Sequence, residues 1–235
     1  MERQPINEVV ARIAALPSDW HGAGSLRPEV LQAIARHAGE RDILHSVETG
    51  TGKSTLLFSH LSPDHTVFTQ DDRGNGDSLD RVKSSPLLEK AEFVVGPTQL
   101  TLPQYDFRCR FQLVFLDGPH AYPFPELEYY YLYPHLEEDG LLIVDDIDIP
   151  TVFNLFRFLS EDAMFECTEV VRTTAFFRRT EAPLFSPLGD GWYRQNYNRR
   201  RFPVQDPAIV MTRTDRLKRR VPTWVKRAVR QVIPS

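Results

Sequence analysis

Val47-Glu48-Thr49-Gly50-Thr51-Gly52-Lys53-Ser54-Thr55 is the stretch on which the reading of this chain turns. An apolar, strand-like run over 43–48 leads into it, and a helical pattern over 53–61 leads out. A glycine-rich turn between a strand and a helix offers a ligand backbone N–H groups and the positive end of the helix dipole. Two ligand classes fit such a turn. Gly52-Lys53-Ser54 copies the end of the phosphate loop GxxxxGK[ST], which would make the protein a nucleotide hydrolase or kinase, but the opening glycine of that pattern falls on Val47. Glu48 would also set a carboxylate against phosphate. The other reading is Glu-x-Gly-x-Gly, an acidic strand end that suits a cationic ligand carrying an ammonium group. Gly50 and Gly52 then allow close backbone approach.

Outward from this turn, strand-like and helix-like segments alternate. Strands are expected at 43–48, 66–70, 92–95, 112–117 and 141–145, with helices at 53–61, 77–84, 125–135 and 151–159. Such alternation implies an α/β domain with a parallel sheet covered on both faces. Residues 165–171 and 174–178 are rich in β-branched and aromatic side chains, with no room for a helix between them. They suit an antiparallel hairpin at one edge, which gives a Rossmann-like, doubly wound, seven-stranded, mostly parallel sheet. Helical spacing over 5–16 and 28–37 places two short helices before it. The expected organisation is 1–39 N-terminal helices, 40–180 the main domain and 181–235 a basic extension.

At this point the sequence resembles the class I S-adenosylmethionine-dependent methyltransferases, over roughly residues 40–180. Val47 to Gly52 resembles the family's first motif, the turn beneath the methionine and ribose of the cofactor. The resemblance implies that Glu48 faces the methionine end and that Gly50, Gly52, Ser54 and Thr55 form the turn, with Ser54 where many members carry a third glycine. Asp71, about twenty residues after Gly50 at the end of the second strand, stands where nucleoside-binding sheets place a carboxylate for the ribose hydroxyls. Alternatively, Asp71, Asp72 and Arg73 form a solvated turn. Thr98, after the third strand, is the implied adenine contact. A protein that keeps this fold and binds the cofactor without turnover is a further reading that the residues leave open.

Strand four ends in Asp117-Gly118-Pro119-His120 and strand five in Asp145-Asp146. Adjacent parallel strands deliver their C-terminal ends to one edge, so the three carboxylates should converge beside the glycine turn. Unless neutralised they raise one another's pKa, and a hard divalent cation such as Mg²⁺ is the usual remedy. The pattern is similar to that of metal-dependent O-methyltransferases, which implies Asp117, Asp145 and Asp146 as metal ligands. It also implies His120 as the base that takes the proton of an acceptor hydroxyl, with Asp117 beside it. The plainer account is that the acids cap turns and that His120 is a loop residue. Asp-Gly-x-His-x-Tyr, here Asp117 to Tyr122, resembles one branch of the superfamily whose acceptors include sugar hydroxyls. The implied acceptor is a small molecule or a sugar. The tyrosines at 129–131 suit a core or an interface, which leaves a homo-oligomer open.

Composition bounds these readings. The chain has 235 residues and a formal net charge of -4, and 41% of its residues are hydrophobic. This is globular composition, and it argues against a surface built throughout for nucleic acid. Residues 199–235 hold eleven Lys/Arg and two Asp/Glu, a charge of +9, which leaves -13 for residues 1–198. Two cysteines far apart suggest neither a disulfide framework nor a thiolate zinc site, so a cytoplasmic home is expected. No segment has the apolar length of a signal peptide or membrane span. Within 216–235 an apolar stripe through Val221, Trp224, Val225, Ala228, Val229 and Val232 opposes Lys226, Arg227 and Arg230. Such a helix suits either an anionic membrane surface or the protein's own acidic body.

Overall fold

A computed structural model of the protein describes residues 5–17, 20, 26–70, 78–186 and 188–201. Its sheet has seven strands in the order β3-β2-β1-β4-β5-β7-β6. They are β1 (His45–Thr49), β2 (Asp64–Thr69), β3 (Glu92–Val95), β4 (Phe111–Leu116), β5 (Leu136–Val144), β6 (Phe165–Val171) and β7 (Thr174–Arg179). The first five are parallel, and β7 runs antiparallel to both β5 and β6. The expected doubly wound sheet with an edge hairpin is therefore present. Helices α1 (Ile6–Ala14), α2 (Pro28–Gly39), α3 (Lys53–Leu61), α4 (Ser78–Lys83), α5 (Thr98–Thr101), α6 (Phe124–Leu132) and α7 (Pro150–Glu161) accompany it.

Both faces of the central strands are buried, which explains their nearly continuous apolar sequence. Along β4, Leu113 and Phe115 join the core under α1, α2 and α3. Val114 and Leu116 join the core shared with α6 and α7. Phe58, Phe68, Phe115, Phe176 and Phe177 are fully buried, each favouring the fold by roughly 1.5–3 kcal/mol. The N-terminal helices belong to this body, because Val9, Val10, Ile13, Val30, Leu31 and Ile34 lie in the same core as Leu56 and Leu57 of α3.

Most strand and helix bounds fall within two residues of expectation, and the largest difference lies between α6 and β5. The helix predicted over 125–135 ends at Leu132, a 3₁₀ turn covers Tyr133–His135, and β5 then begins at Leu136, five residues before the predicted start. The polar stretch Glu137-Glu138-Asp139 sits inside a strand whose register against β4 shifts between Phe111 and Leu113, with Asp139 at φ +62°. An irregularity of this kind admits polar residues that a regular buried strand would reject.

The chain divides into two compact units at Gly191 and Trp192. Described by itself, the second holds a turn at Trp192–Arg194 and α8 (Asn196–Arg200), with Arg201 stacked over the Tyr197 ring at 3.9 Å. The basic helix expected within 216–235 lies outside the described residues. Among the described residues, no helix is long and apolar enough to cross a membrane.

Candidate active site

Strand register builds the site. Thr49 pairs with Leu116 across β1 and β4, and Leu116 pairs with Val144 across β4 and β5. The residues that follow are Gly50, Asp117 and Asp145, which arrive side by side at the C-terminal edge of the sheet. Backbone bonds extend the ladder past the strands: Asp117 donates its N–H to the Thr49 carbonyl at 3.2 Å, and Asp145 to that of Leu116 at 3.1 Å. The acidic strand ends converge as expected. They open into a cavity of about 790 Å³ lined by Gly50 to Ser54, Thr98, Asp117 to His120 and Asp145-Asp146, and walled by Leu26, Arg27 and Val30 ahead of them and by Arg172 to Thr174. Such a volume suits a small-molecule site.

The glycine turn fits only a residue without a side chain at its first position. Gly50 has φ +92°, and a Cβ there would lie 2.3 Å from the Asp117 carbonyl oxygen. Gly52 donates its N–H to Thr55 Oγ1 at 3.0 Å, and Thr55 Oγ1 also meets Thr51 Oγ1 at 3.2 Å. Thr55 is fully buried and shapes the turn from beneath, whereas Ser54 lines the cavity. Lys53 lines it too, but its Nζ donates to the Leu16 carbonyl at 2.9 Å. Burial lowers the pKa of this lysine. The ammonium that a phosphate loop would need free is thus engaged on the loop after α1, and the nucleotide reading gains no support.

Glu48 lies behind the turn. Val47 packs into the α6/α7 core, so by strand alternation Ser46 and Glu48 face the other side of the sheet. There the fully buried Glu48 meets His65 Nε2 through Oε1 at 3.1 Å, and His65 Nδ1 meets Ser46 Oγ at 2.8 Å. Glu48 Oε2 is buried and has no partner among the described residues. Asp71 lies outside the described residues; Gln70, just before it, lines the cavity. Thr98, the implied adenine contact, is buried at the start of α5 and lines the cavity.

The carboxylates do not all play the expected part. His120 Nε2 stands 3.6 Å from Asp117 Oδ1 and 3.3 Å from Asp146 Oδ2. One ligand atom from each of Asp117, His120 and Asp146 can lie within 4.8 Å of the others, a spacing that could hold a metal ion. Asp145 instead accepts a hydrogen bond from the Thr174 hydroxyl at the start of β7. Successive residues point to different sides, and Asp146 reaches His120 from a left-handed backbone (φ +54°) that an aspartate tolerates. The trio brought together is therefore Asp117, His120 and Asp146, with the histidine in the place expected for Asp145. A hydrogen bond from the Thr151 hydroxyl to the His120 carbonyl ties this loop to α7.

Crowding shifts these groups together. Desolvation, helped by Asp145 and Asp146, pushes Asp117 up to about 7 against the pull of His120. The hydrogen bond with Asp117, then the charges of Asp117, Asp146 and Asp145, raise His120. Asp145 is raised by burial, which its bond from Thr174 opposes.

Glu128 of α6 was not anticipated. It is buried beneath the Asp117-Gly118 turn, so close that a Cβ on Gly118 would lie 2.2 Å from its Oε1. Burial pushes its carboxyl up to about 7, moderated by the Thr49 and Thr98 hydroxyls. The signal was present in the sequence: Pro125, Glu128, Tyr129 and Leu132 form the buried stripe of α6, and an acid on such a stripe is out of place unless it has a task there.

Residues 47–147 match a family model described as a methyltransferase domain. Solved structures of similar fold include the O-methyltransferase TomG of Streptomyces achromogenes, involved in tomaymycin synthesis and solved with S-adenosylmethionine. It is 16% identical at a TM-score of 0.54, with 74% of this chain and 90% of that one covered. An O-methyltransferase of Bacillus cereus, solved with S-adenosylhomocysteine, is 14% identical at a TM-score of 0.53, with 74% and 90% covered. MycE, a methyltransferase of the mycinamycin pathway solved with Mg and S-adenosylhomocysteine, is 14% identical at a TM-score of 0.50, with 79% and 58% covered. Comparison with curated protein sequences gives no match.

Proposed function

We propose that this chain, whose residues 47–147 match a methyltransferase domain, is a class I S-adenosylmethionine-dependent enzyme that O-methylates a hydroxyl of a small molecule or sugar. The observation that carries this reading is a single cavity in which the glycine turn at Gly50 to Ser54 meets the Asp117–His120–Asp146 cluster.

The residues fit a cationic cofactor. The turn gives close backbone approach, and Asp117, Asp145 and Asp146 make the wall beside it rich in carboxylates. Gly50 to Ser54 and Thr98 would hold S-adenosylmethionine, whose chemistry would be to supply an electrophilic methyl group. The chain's own share of the chemistry is alignment and proton transfer. Walls from α2, from the β6–β7 turn and from the loop after β4 hold the acceptor oxygen in line, a contribution that can reach several kcal/mol. His120 takes the hydroxyl proton, and Asp117 stabilises the imidazolium that results. Asp117 is raised by burial and His120 by its hydrogen bond with Asp117, and the two share an ion pair, so the pair acts as one acceptor of a proton. Two carboxylates and an imidazole also suit a divalent ion, whose chemistry would be to lower the pKa of the acceptor hydroxyl.

Calorimetric titration with S-adenosylmethionine, and separately with ATP, each with Mg²⁺ and with chelator, tests the reading. Binding of S-adenosylmethionine that Asp71→Ala or Glu48→Ala weakens is expected. A screen for S-adenosylhomocysteine release on sugar acceptors then separates an enzyme from a binding module. ATP binding lost on Lys53→Ala, with no binding of S-adenosylmethionine, would overturn it.

A further inference from the structure

We propose that Arg27 and Arg172 form an oxyanion subsite on the cavity wall, and that the acceptor is a hydroxylated molecule bearing a phosphate or carboxylate group. This deepens the reading above and rests on it.

The two arginines come from distant parts of the chain and line the same cavity as the glycine turn and the acids. Arg27 is the residue just before α2, whose first turn also carries Val30 into the wall. Arg172 sits in the β6–β7 turn at φ +57°, next to Thr173 and Thr174, which line the cavity as well. Glu29 joins them: Arg172 Nη2 pairs with Glu29 Oε1 at 3.0 Å, and the charges of both Arg172 and Arg27 act on the Glu29 carboxylate. Glu29 answers Arg172, and Arg27 adds a second guanidinium to the same wall.

The rest of the lining makes these two cations informative. Asp117, Asp145 and Asp146 crowd the strand ends, where an acceptor's anionic group would be repelled. The ammonium of Lys53 is spent on Leu16. Among the described residues lining the cavity, Arg27 and Arg172 are thus the cations placed to receive an anion. A guanidinium presents a planar set of donors that matches carboxylate and phosphate oxygens. The pair that Arg172 makes with Glu29 lies at the exposed rim, where a ligand oxygen can compete for it. The hydroxyl to be methylated would lie at Asp117 and His120, and the anionic group at the arginines.

The test uses the full chain, Arg27→Gln, Arg172→Gln and the double variant. Each is titrated with inorganic phosphate, in the presence and absence of S-adenosylhomocysteine, and with S-adenosylhomocysteine and 5′-methylthioadenosine separately. The expected result is phosphate binding weakened about tenfold or more by each substitution, in line with loss of a charge-assisted hydrogen bond. Affinity for S-adenosylhomocysteine should stay unchanged. If phosphate fails to bind the wild-type protein at millimolar concentration, or binds all four proteins alike, the subsite is refuted. If the substitutions weaken S-adenosylhomocysteine but spare 5′-methylthioadenosine, which lacks the amino acid, the arginines hold the cofactor's own carboxylate and the acceptor assignment is wrong. Failure of the wild-type protein to bind S-adenosylhomocysteine would instead refute the methyltransferase reading, and the phosphate titration without it is read independently.

Discussion

The backbone of Asp117 closes over Gly50 so tightly that a single added carbon on the glycine would lie 2.3 Å from the Asp117 carbonyl oxygen. The glycine turn and the end of β4 are therefore one contact, and neither can shift without the other. Gly50→Ala faces both this clash and a φ of +92°. Strain of that kind costs about 1–3 kcal/mol, so the variant should unfold at lower urea and bind S-adenosylhomocysteine at least about tenfold more weakly. Unchanged affinity in calorimetry would show that the turn does not meet the cofactor.

Glu128 should make stability depend on pH in a direction unusual for a carboxylate. Its pKa is raised to about 7, so the folded state holds the proton more tightly than the unfolded state does. Stability is greatest below the unfolded pKa and falls as pH rises through 7, by roughly 3 kcal/mol for this group. Asp117, also raised to about 7, and the raised His120 slope the same way. Urea unfolding at about pH 5 and pH 8 should show the wild type more stable at the lower value, and Glu128→Gln should flatten the difference. An undiminished slope in the variant would mean that other groups carry it.

Divalent-ion binding, followed by calorimetry with Mn²⁺ or Mg²⁺, should distinguish Asp146 from its neighbour. Asp146→Asn and His120→Gln each remove a member of the cluster and should weaken binding at least about tenfold. Asp145→Asn should weaken it less, because that carboxylate is occupied by Thr174. Equal losses at positions 145 and 146 would return the ligand set to three carboxylates.

Lys53→Met separates a tie from a phosphate contact. The Leu16 carbonyl loses its charged donor, which should cost about 1.5–3 kcal/mol of stability. Affinity for S-adenosylhomocysteine should remain unchanged. A large loss of affinity with little loss of stability would make the lysine a ligand contact.

Much of this was legible in the sequence because parallel strands buried on both faces announce themselves as apolar runs, and the glycine turn marks where the first of them ends. The convergence of Asp117 with Asp145 and Asp146 followed from topology alone. What escaped was decided by residues far away along the chain. Asp145 is occupied by Thr174, 29 residues on, so local sequence could not tell which of two adjacent aspartates was free. Lys53 is satisfied by a backbone carbonyl 37 residues earlier, which leaves no trace in composition. The early start of β5 was hidden because a strand with an irregular register can carry Glu137 to Asp139, which read as a polar turn. Glu128 is legible as the one acid on the buried stripe of α6.

Leu26, Arg27 and Val30, like Arg172 to Thr174, line the cavity yet fall outside residues 47–147, the stretch that matches the methyltransferase model. On the proposed function, reactivity and discrimination would then reside on separable pieces of chain. Descendants of such a protein could exchange one acceptor for another by altering two short segments while the matched domain passed through unaltered.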